Sequence, residues 1–190
     1  MRRLCALVLA LCSAIPVLEA QSGHPQLRQG FWISGGLGVG LYHLGCDSCS
    51  FTGATDKSGN LRMGGTLSQK VLLGGEMMAW THYENGIDEW AGALTVVMLY
   101  YPSATGGLFL KGGLGVGGYD ESGYGWEGTA TGFALSGGAG YDLRLASNFS
   151  VTPFCNGFYV FKAPLELGAS QTGTEVSQSL LQLGVAVTFH

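Results

Sequence analysis

From residue 31 onward, apolar side chains recur at every second position, and seven polar or glycine-rich connections interrupt the alternation. The clearest stretch is the last, where Leu181, Leu183, Val185, Val187 and Phe189 alternate with Gln182, Gly184, Ala186 and Thr188. Period two is the signature of a strand, because successive side chains leave it on opposite faces. The same test marks eight segments: residues 31–42, 61–67, 71–81, 90–101, 107–119, 129–145, 149–161 and 175–189. Their connections alternate in length. Residues 68–70, 102–106 and 146–148 are tight turns, whereas residues 43–60, 82–89, 120–128 and 162–174 are longer and polar. An even set of strands with short turns at one end and long loops at the other predicts an all-β fold, an eight-stranded antiparallel up-and-down transmembrane β-barrel.

The second face of each strand separates a membrane barrel from a soluble sandwich. In residues 107–119 the face opposite Leu108, Leu110, Leu114 and Val116 carries Lys111, Gly113, Gly115 and Gly117. Leu73 and Met77 oppose Glu76, and Tyr141 and Leu143 oppose Asp142 and Arg144. Small residues with scattered charges suit a narrow lumen filled by its own side chains; a solvated sheet surface carries more Lys and Glu than this. Arg62, Glu76, Lys111, Asp142 and Arg144 then point inward, and buried charges need partners, so an ion-pair network across the lumen is expected. A proton or ion pathway is the sharper alternative. An eight-stranded interior is about filled by side chains, which argues against an open pore.

Composition sharpens this picture. Of 190 residues 33 are Gly, only 12% are charged, and the mean hydropathy is +0.25. Glycine at this level fits tight bends and crowded barrel interiors. The positive hydropathy fits apolar residues spread over alternate positions, since no run after residue 20 is long enough for a membrane helix. Residues 1–20 read as a secretory signal peptide, with Arg2 and Arg3 before the apolar stretch 4–18 and a cleavage point before Gln21, leaving residues 21–190 as one barrel domain. Aromatic residues gather near segment ends, as girdles at a membrane boundary do. Ten of the acidic residues sit in or beside the four long connections, among them Asp56, Glu84, Glu89 and Glu121. They solvate exposed loops or bind divalent cations that bridge lipopolysaccharide.

These features, with Gly-Leu-Gly-Val-Gly at 36–40 and again at 113–117, Gly138-Ala139-Gly140-Tyr141-Asp142-Leu143 before a tight turn and Val151-Thr152-Pro153-Phe154 after it, resemble the small outer-membrane β-barrel proteins of Gram-negative bacteria. The resemblance covers residues 30–190 and implies residence in the cell outer membrane, among outer-membrane lipid and lipopolysaccharide. It also implies recognition by the barrel-assembly machinery through a terminal aromatic. Here Phe189 is penultimate and His190 follows, a departure from that pattern. Eight-stranded members divide into structural or adhesive barrels, small-molecule channels and lipid-modifying enzymes.

The candidate chemistry is sparse. His82-Tyr83-Glu84-Asn85 resembles the His-x-Ser-Asn stretch of outer-membrane lipid A deacylases, but Glu84 stands where the serine nucleophile belongs. His43, Cys46 and Cys49 have a spacing that serves zinc or, in an oxidising compartment, a Cys46–Cys49 disulfide pinning the first loop. The disulfide is the expectation carried forward, with no metal site. Seven Lys and Arg against twelve acids beyond residue 20 leave no basic patch, which excludes nucleic acid as a partner. The sequence therefore points to a structural or surface-interaction barrel with no catalytic residue and no cofactor, meeting an extracellular ligand through its loops. The alternatives are a narrow channel for small or apolar solutes and, third, an outer-membrane lipid-modifying enzyme.

Overall fold

A computed structural model describes residues 28–46, 53–168 and 170–190; the signal-peptide segment and Cys49 fall outside these residues. The strands are β1 (Phe31–Cys46), β2 (Ala54–Ser68), β3 (Val71–Glu84), β4 (Ile87–Tyr100), β5 (Leu108–Gly123), β6 (Trp126–Tyr141), β7 (Leu143–Ala146), β8 (Phe149–Leu167) and β9 (Ser170–Phe189). Successive strands pair antiparallel except β6 and β7, which both pair with β8; β1 pairs with β9, and β6 pairs with β5 as well. The sheet therefore closes on itself. β6 and β7 are one spanning strand interrupted at Asp142, so the barrel has eight staves. The interruption has a local cause: the Asp142 amide donates to Gly107 O (2.9 Å) rather than to β8.

Alternation settles which way each side chain points. Leu37, Leu94, Val96 and Leu114 stand on the outer wall at 58–78% exposure, while their strand neighbours are turned inward. Over about ten residues per strand, the length that crosses a bilayer at a barrel's tilt, outward positions among the described residues are apolar, glycine or a small hydroxyl. No charge interrupts this belt.

Three of the four connections expected to be long loops are instead tight hairpins on strands that continue past the belt. β3 and β4 meet at Asn85-Gly86, with φ of 52° and 82°, and β5 and β6 at Tyr124-Gly125, with φ of 49° and 85°. Paired left-handed residues are the type I′ geometry that follows the natural twist of a hairpin. β8 and β9 pair as far as Leu167↔Ser170 and turn through Gly168, φ 59°. β2 likewise begins at Ala54, seven residues before the expected Leu61. The acids expected in loops, apart from Asp47, which lies outside the described residues, thus stand on strand tips, which fixes their direction. β8 also carries a bulge: Lys162 adopts φ 26°, and its ladders to β6 and β9 both slip there.

The core is the lumen itself, in three storeys. Next to the short turns lie Trp32, Leu72, Val97, Leu99, Tyr101 and Phe109. A polar middle follows, and the outer storey is packed by Tyr42, Met78, Trp80, Tyr119, Phe158, Val160 and Leu180. Inward glycines make room for these rings: a Cβ on Gly40 would meet Trp80 Cδ1 at 2.7 Å.

Candidate functional site

The five charges expected in the lumen are all buried, but they fall into two groups. In the middle storey Arg62 on β2 faces Glu76 on β3 directly across the ladder. Lys111 reaches the same carboxylate from β5, with Nζ 2.5 and 2.6 Å from the two oxygens. Arg62 Nε lies 3.8 Å from Glu76 Oε1, and its Nη2 donates to Ser34 Oγ at 3.2 Å. Two cations thus share one anion. Polar neighbours complete the layer: Asn60 donates to Gln182 (3.1 Å), and Thr95 meets Ser136 (3.1 Å).

Asp142 and Arg144 lie apart from this triad, at the floor near the short turns. Asp142 accepts from Tyr101 Oη (2.8 Å) and Thr152 Oγ1 (2.7 Å), and His190 Nε2 stands 3.7 Å away. Arg144 donates to Ser147 O at 2.9 Å. Sequence reading missed the residue that closes this floor. Arg28, ahead of β1 and fully buried, donates to Gln69 O, Ala104 O (3.2 Å) and Gly106 O (2.5 Å), and its guanidinium lies 3.4 Å from the Tyr101 ring centroid. Gln69 grips the Arg28 backbone in return, accepting from its N–H (3.0 Å) and donating to its carbonyl (2.9 Å). Arg28 therefore ties the chain ahead of β1 to two turns and plugs the lumen from below.

The outer storey is an aromatic column. Tyr42 reaches in from β1 and stacks between Trp80 (centroids 4.6 Å apart) and Tyr119 (5.7 Å); His82 stacks on Trp80 at 5.7 Å. Ala91, between Trp80 and Tyr119 in register, is the small residue over which Tyr42 fits. One row further out, His82, Glu89 and Glu121 stand side by side on β3, β4 and β5, all inward. His82 Nδ1 is 2.9 Å from Asp56 and Nε2 is 3.5 Å from Glu84. Tyr119 Oη donates to Glu121 at 2.8 Å.

This row lies beyond the belt, outside the membrane-spanning part of the strands. The hydrogen bond to Asp56 raises the His82 imidazole above its ordinary range, and the same bond holds the Asp56 carboxyl low. Burial, then the neighbouring Glu121, pushes the Glu89 carboxyl up. The His82 ring is thus engaged by two carboxylates, and no hydroxyl is hydrogen-bonded to it among the described residues, as the deacylase-like reading of residues 82–85 would need.

Cys46, at the outer end of β1, is disulfide-bonded. Its expected partner Cys49 lies outside the described residues. Groups of three or more His, Cys, Asp or Glu positioned to hold a metal are absent among the described residues.

Space in the lumen is scarce. A cavity of about 10 Å³ lies among Trp32, Ser34, Arg62, Tyr101, Asp142 and His190, room for roughly one water. Larger hollows open at the outer rim. One of about 350 Å³ is lined by Ala54, Thr55, His82, Glu84, Asn85, Ile87 and Glu89.

No family model and no curated protein matches the chain. Solved structures do. Neisserial surface protein A (NspA) aligns with a TM-score of 0.55 at 11% identity, over 86% of this chain and 98% of its own. Ail, the attachment invasion locus protein of Yersinia pestis, gives 0.53 at 14% identity, over 83% and 99%. The outer membrane protein OprG from Pseudomonas aeruginosa gives 0.50 at 17%, over 88% and 98%. At such identities the likeness speaks to architecture: this chain has the fold of the small eight-stranded outer-membrane barrels.

Proposed function

We propose that this chain is a sealed outer-membrane barrel that works at its outer surface, as a structural or surface-interaction protein rather than as a channel or an enzyme. The observation that carries the reading is the filled lumen. Arg28 closes the floor, the Arg62–Glu76–Lys111 triad crosses the middle, and the Tyr119–Tyr42–Trp80–His82 column closes the top. A solute crossing it would have to break a buried ion triad and unstack four rings. The outer wall meets lipid along the belt. Above it Lys57, Asp88, Trp90 and Asp120 border a hollow of about 480 Å³ at the depth of lipopolysaccharide headgroups. Phe189, last residue of β9 and packed edge-on against Phe149, is the aromatic we assign to the barrel-assembly machinery.

The projecting tips favour an extracellular ligand. One structure of Ail holds the heparin analogue sucrose octasulfate, so a barrel of this fold accepts a charged ligand. Here the inward face of the mouth carries Asp56, Glu84, Glu89 and Glu121, a field that repels polyanions.

The test is conductance. The purified protein in planar bilayers is expected to give no discrete steps, and stable single-channel events would overturn the sealed reading. Lipid A of unchanged mass after expression is expected in parallel; a consistent mass shift would instead establish the lipid-modifying alternative.

A further inference from the structure

The cavity of about 10 Å³ lies where the ion triad meets the floor, bordered by Trp32, Ser34, Arg62, Phe109, Asp142 and His190 among others. Trp32 and Arg62 are each 1% exposed. Trp32 Nε1 and Arg62 Nη1 have no hydrogen-bond partner among the described residues, and both can only donate. The Arg62 guanidinium faces this space. Its Nη2 donates to Ser34 Oγ at 3.2 Å and its Cζ lies 5.4 Å from the Phe109 ring centroid, and Ser34 and Phe109 are both part of the cavity wall. The wall's carboxylate, Asp142, is turned to other donors, the hydroxyls of Tyr101 and Thr152.

Charge is the second, independent observation. The buried charged side chains among the described residues are Arg28, Arg62, Lys111 and Arg144 against Glu76 and Asp142. The surplus falls on both sides of the cavity. Above it, Arg62 and Lys111 share the Glu76 carboxylate. Below it, Arg28 and Arg144 accompany Asp142 in the floor, Arg28 and Asp142 both on Tyr101. A chain-terminal carboxylate at His190 would still leave one positive charge unanswered. Inside a barrel wrapped in lipid, a buried charge without a counter-charge is costly.

We propose that this cavity binds one small monovalent anion, a halide such as chloride, held by Arg62 Nη1 and Trp32 Nε1. The anion balances the cationic interior and satisfies two buried donors at once. A water could accept from the same N–H groups, but it would leave the surplus charge in place. Phosphate, sulfate and carboxylate ligands are too large for a space of about 10 Å³, room for roughly one water. Uptake belongs to folding, because Arg28 and the carbonyls of Ala104 and Gly106 cover the floor once the barrel has closed. This site goes beyond the surface role and concerns what stabilises the sealed interior.

The experiment folds the mature protein from urea into neutral detergent in chloride-free sodium gluconate, replaced stepwise by sodium chloride at constant ionic strength. The urea unfolding midpoint is expected to rise saturably with chloride, the signature of a ligand bound by the folded state alone. Trp32→Phe keeps an aromatic ring and removes the N–H. It should raise the half-saturating chloride about tenfold, the loss of one hydrogen bond to a charged partner. Crystals of protein folded in sodium bromide are expected to give an anomalous bromide peak within hydrogen-bond reach of Arg62 Nη1 and Trp32 Nε1. A water at that position without anomalous signal would overturn the proposal, as would an unchanged half-saturation in a folded Trp32→Phe. A bromide peak with midpoints that ignore chloride marks an adventitious ion only, and overturns it equally. If Trp32→Phe lacks heat-modifiable migration, the wild-type titration and the bromide peak decide together. Conductance of the same samples tests the seal and does not enter that decision.

Discussion

Glu76 carries more of the interior than any other side chain. It is fully buried, with two cations aimed at it and the Lys111 ammonium bridging both its oxygens. Removing one member of a buried ion cluster leaves uncompensated charge, at a cost of about 3–5 kcal/mol. Glu76→Gln is therefore expected to destabilise the barrel by about that amount, read as a lower midpoint in urea unfolding of the lipid-folded protein. Adding Lys111→Met to it should recover part of the loss, because one stranded cation goes with it. At the mouth, His82 and Asp56 make a pH-dependent bond, with Glu84 and Glu89 also beside that ring and Glu121 one strand beyond Glu89. The raised imidazole contributes stability that is fully present below its ordinary 6.5 and lost as pH rises through the folded value. The depressed carboxyl contributes above its ordinary 3.8 and loses it on acidification. The gap in unfolding midpoint between wild type and Asp56→Asn should thus be widest near pH 5 and close on the alkaline side; a gap that widens toward pH 9 would refute the assignment.

At the scale of elements, the segment ahead of β1 behaves as a strap. Arg28 holds the 68–70 turn and the 102–106 turn through carbonyl oxygens, and it covers Tyr101. Hydrogen bonds from a charged donor are worth about 1.5–3 kcal/mol each, offset by the freedom the exposed variant regains. Arg28→Ala should lower stability by about 2–4 kcal/mol and speed proteolytic cleavage next to residue 28, whereas Arg28→Lys, lacking the planar fork, should rescue little. Nothing in the sequence marked Arg28, because its partners are backbone carbonyls whose positions depend on the finished fold. The spanning strands were legible because lipid imposes apolar residues at every second position. Their outer tips were not: water bathes both faces there, so Ala54-Thr55-Asp56-Lys57-Ser58-Gly59-Asn60 carries no alternation to read. Asn85-Gly86 was a readable hairpin signal that its polar neighbours masked. The lumen charges were legible one by one from their face, but their division into a triad and a floor depends on strand stagger, which no local pattern encodes. The Tyr42–Trp80 stack, bridging β1 and β3, was hidden for the same reason.

The whole molecule has a polarity that follows from its two ends. One end carries the turns 68–70, 102–106 and 146–148, the start of β1 and the end of β9, all drawn together by Arg28 and by the Asn148 carbonyl accepting from the His190 amide (3.0 Å). The other carries strand tips that outrun the belt, with acids facing both lumen and solvent. Barrels of this layout keep their short turns on the periplasmic side and project their longer tips outward. An epitope placed between Tyr124 and Gly125 extends a solvent-exposed hairpin tip whose side chains are outside the belt, so folding should survive it. One placed between Ser103 and Ala104 enters an exposed turn, though next to a carbonyl that Arg28 uses, so heat-modifiable migration must be checked first. On intact cells the first epitope is expected to bind antibody and the second to bind only after the outer membrane is permeabilised. The reverse pattern would turn the barrel over and move the carboxylate mouth to the periplasmic side.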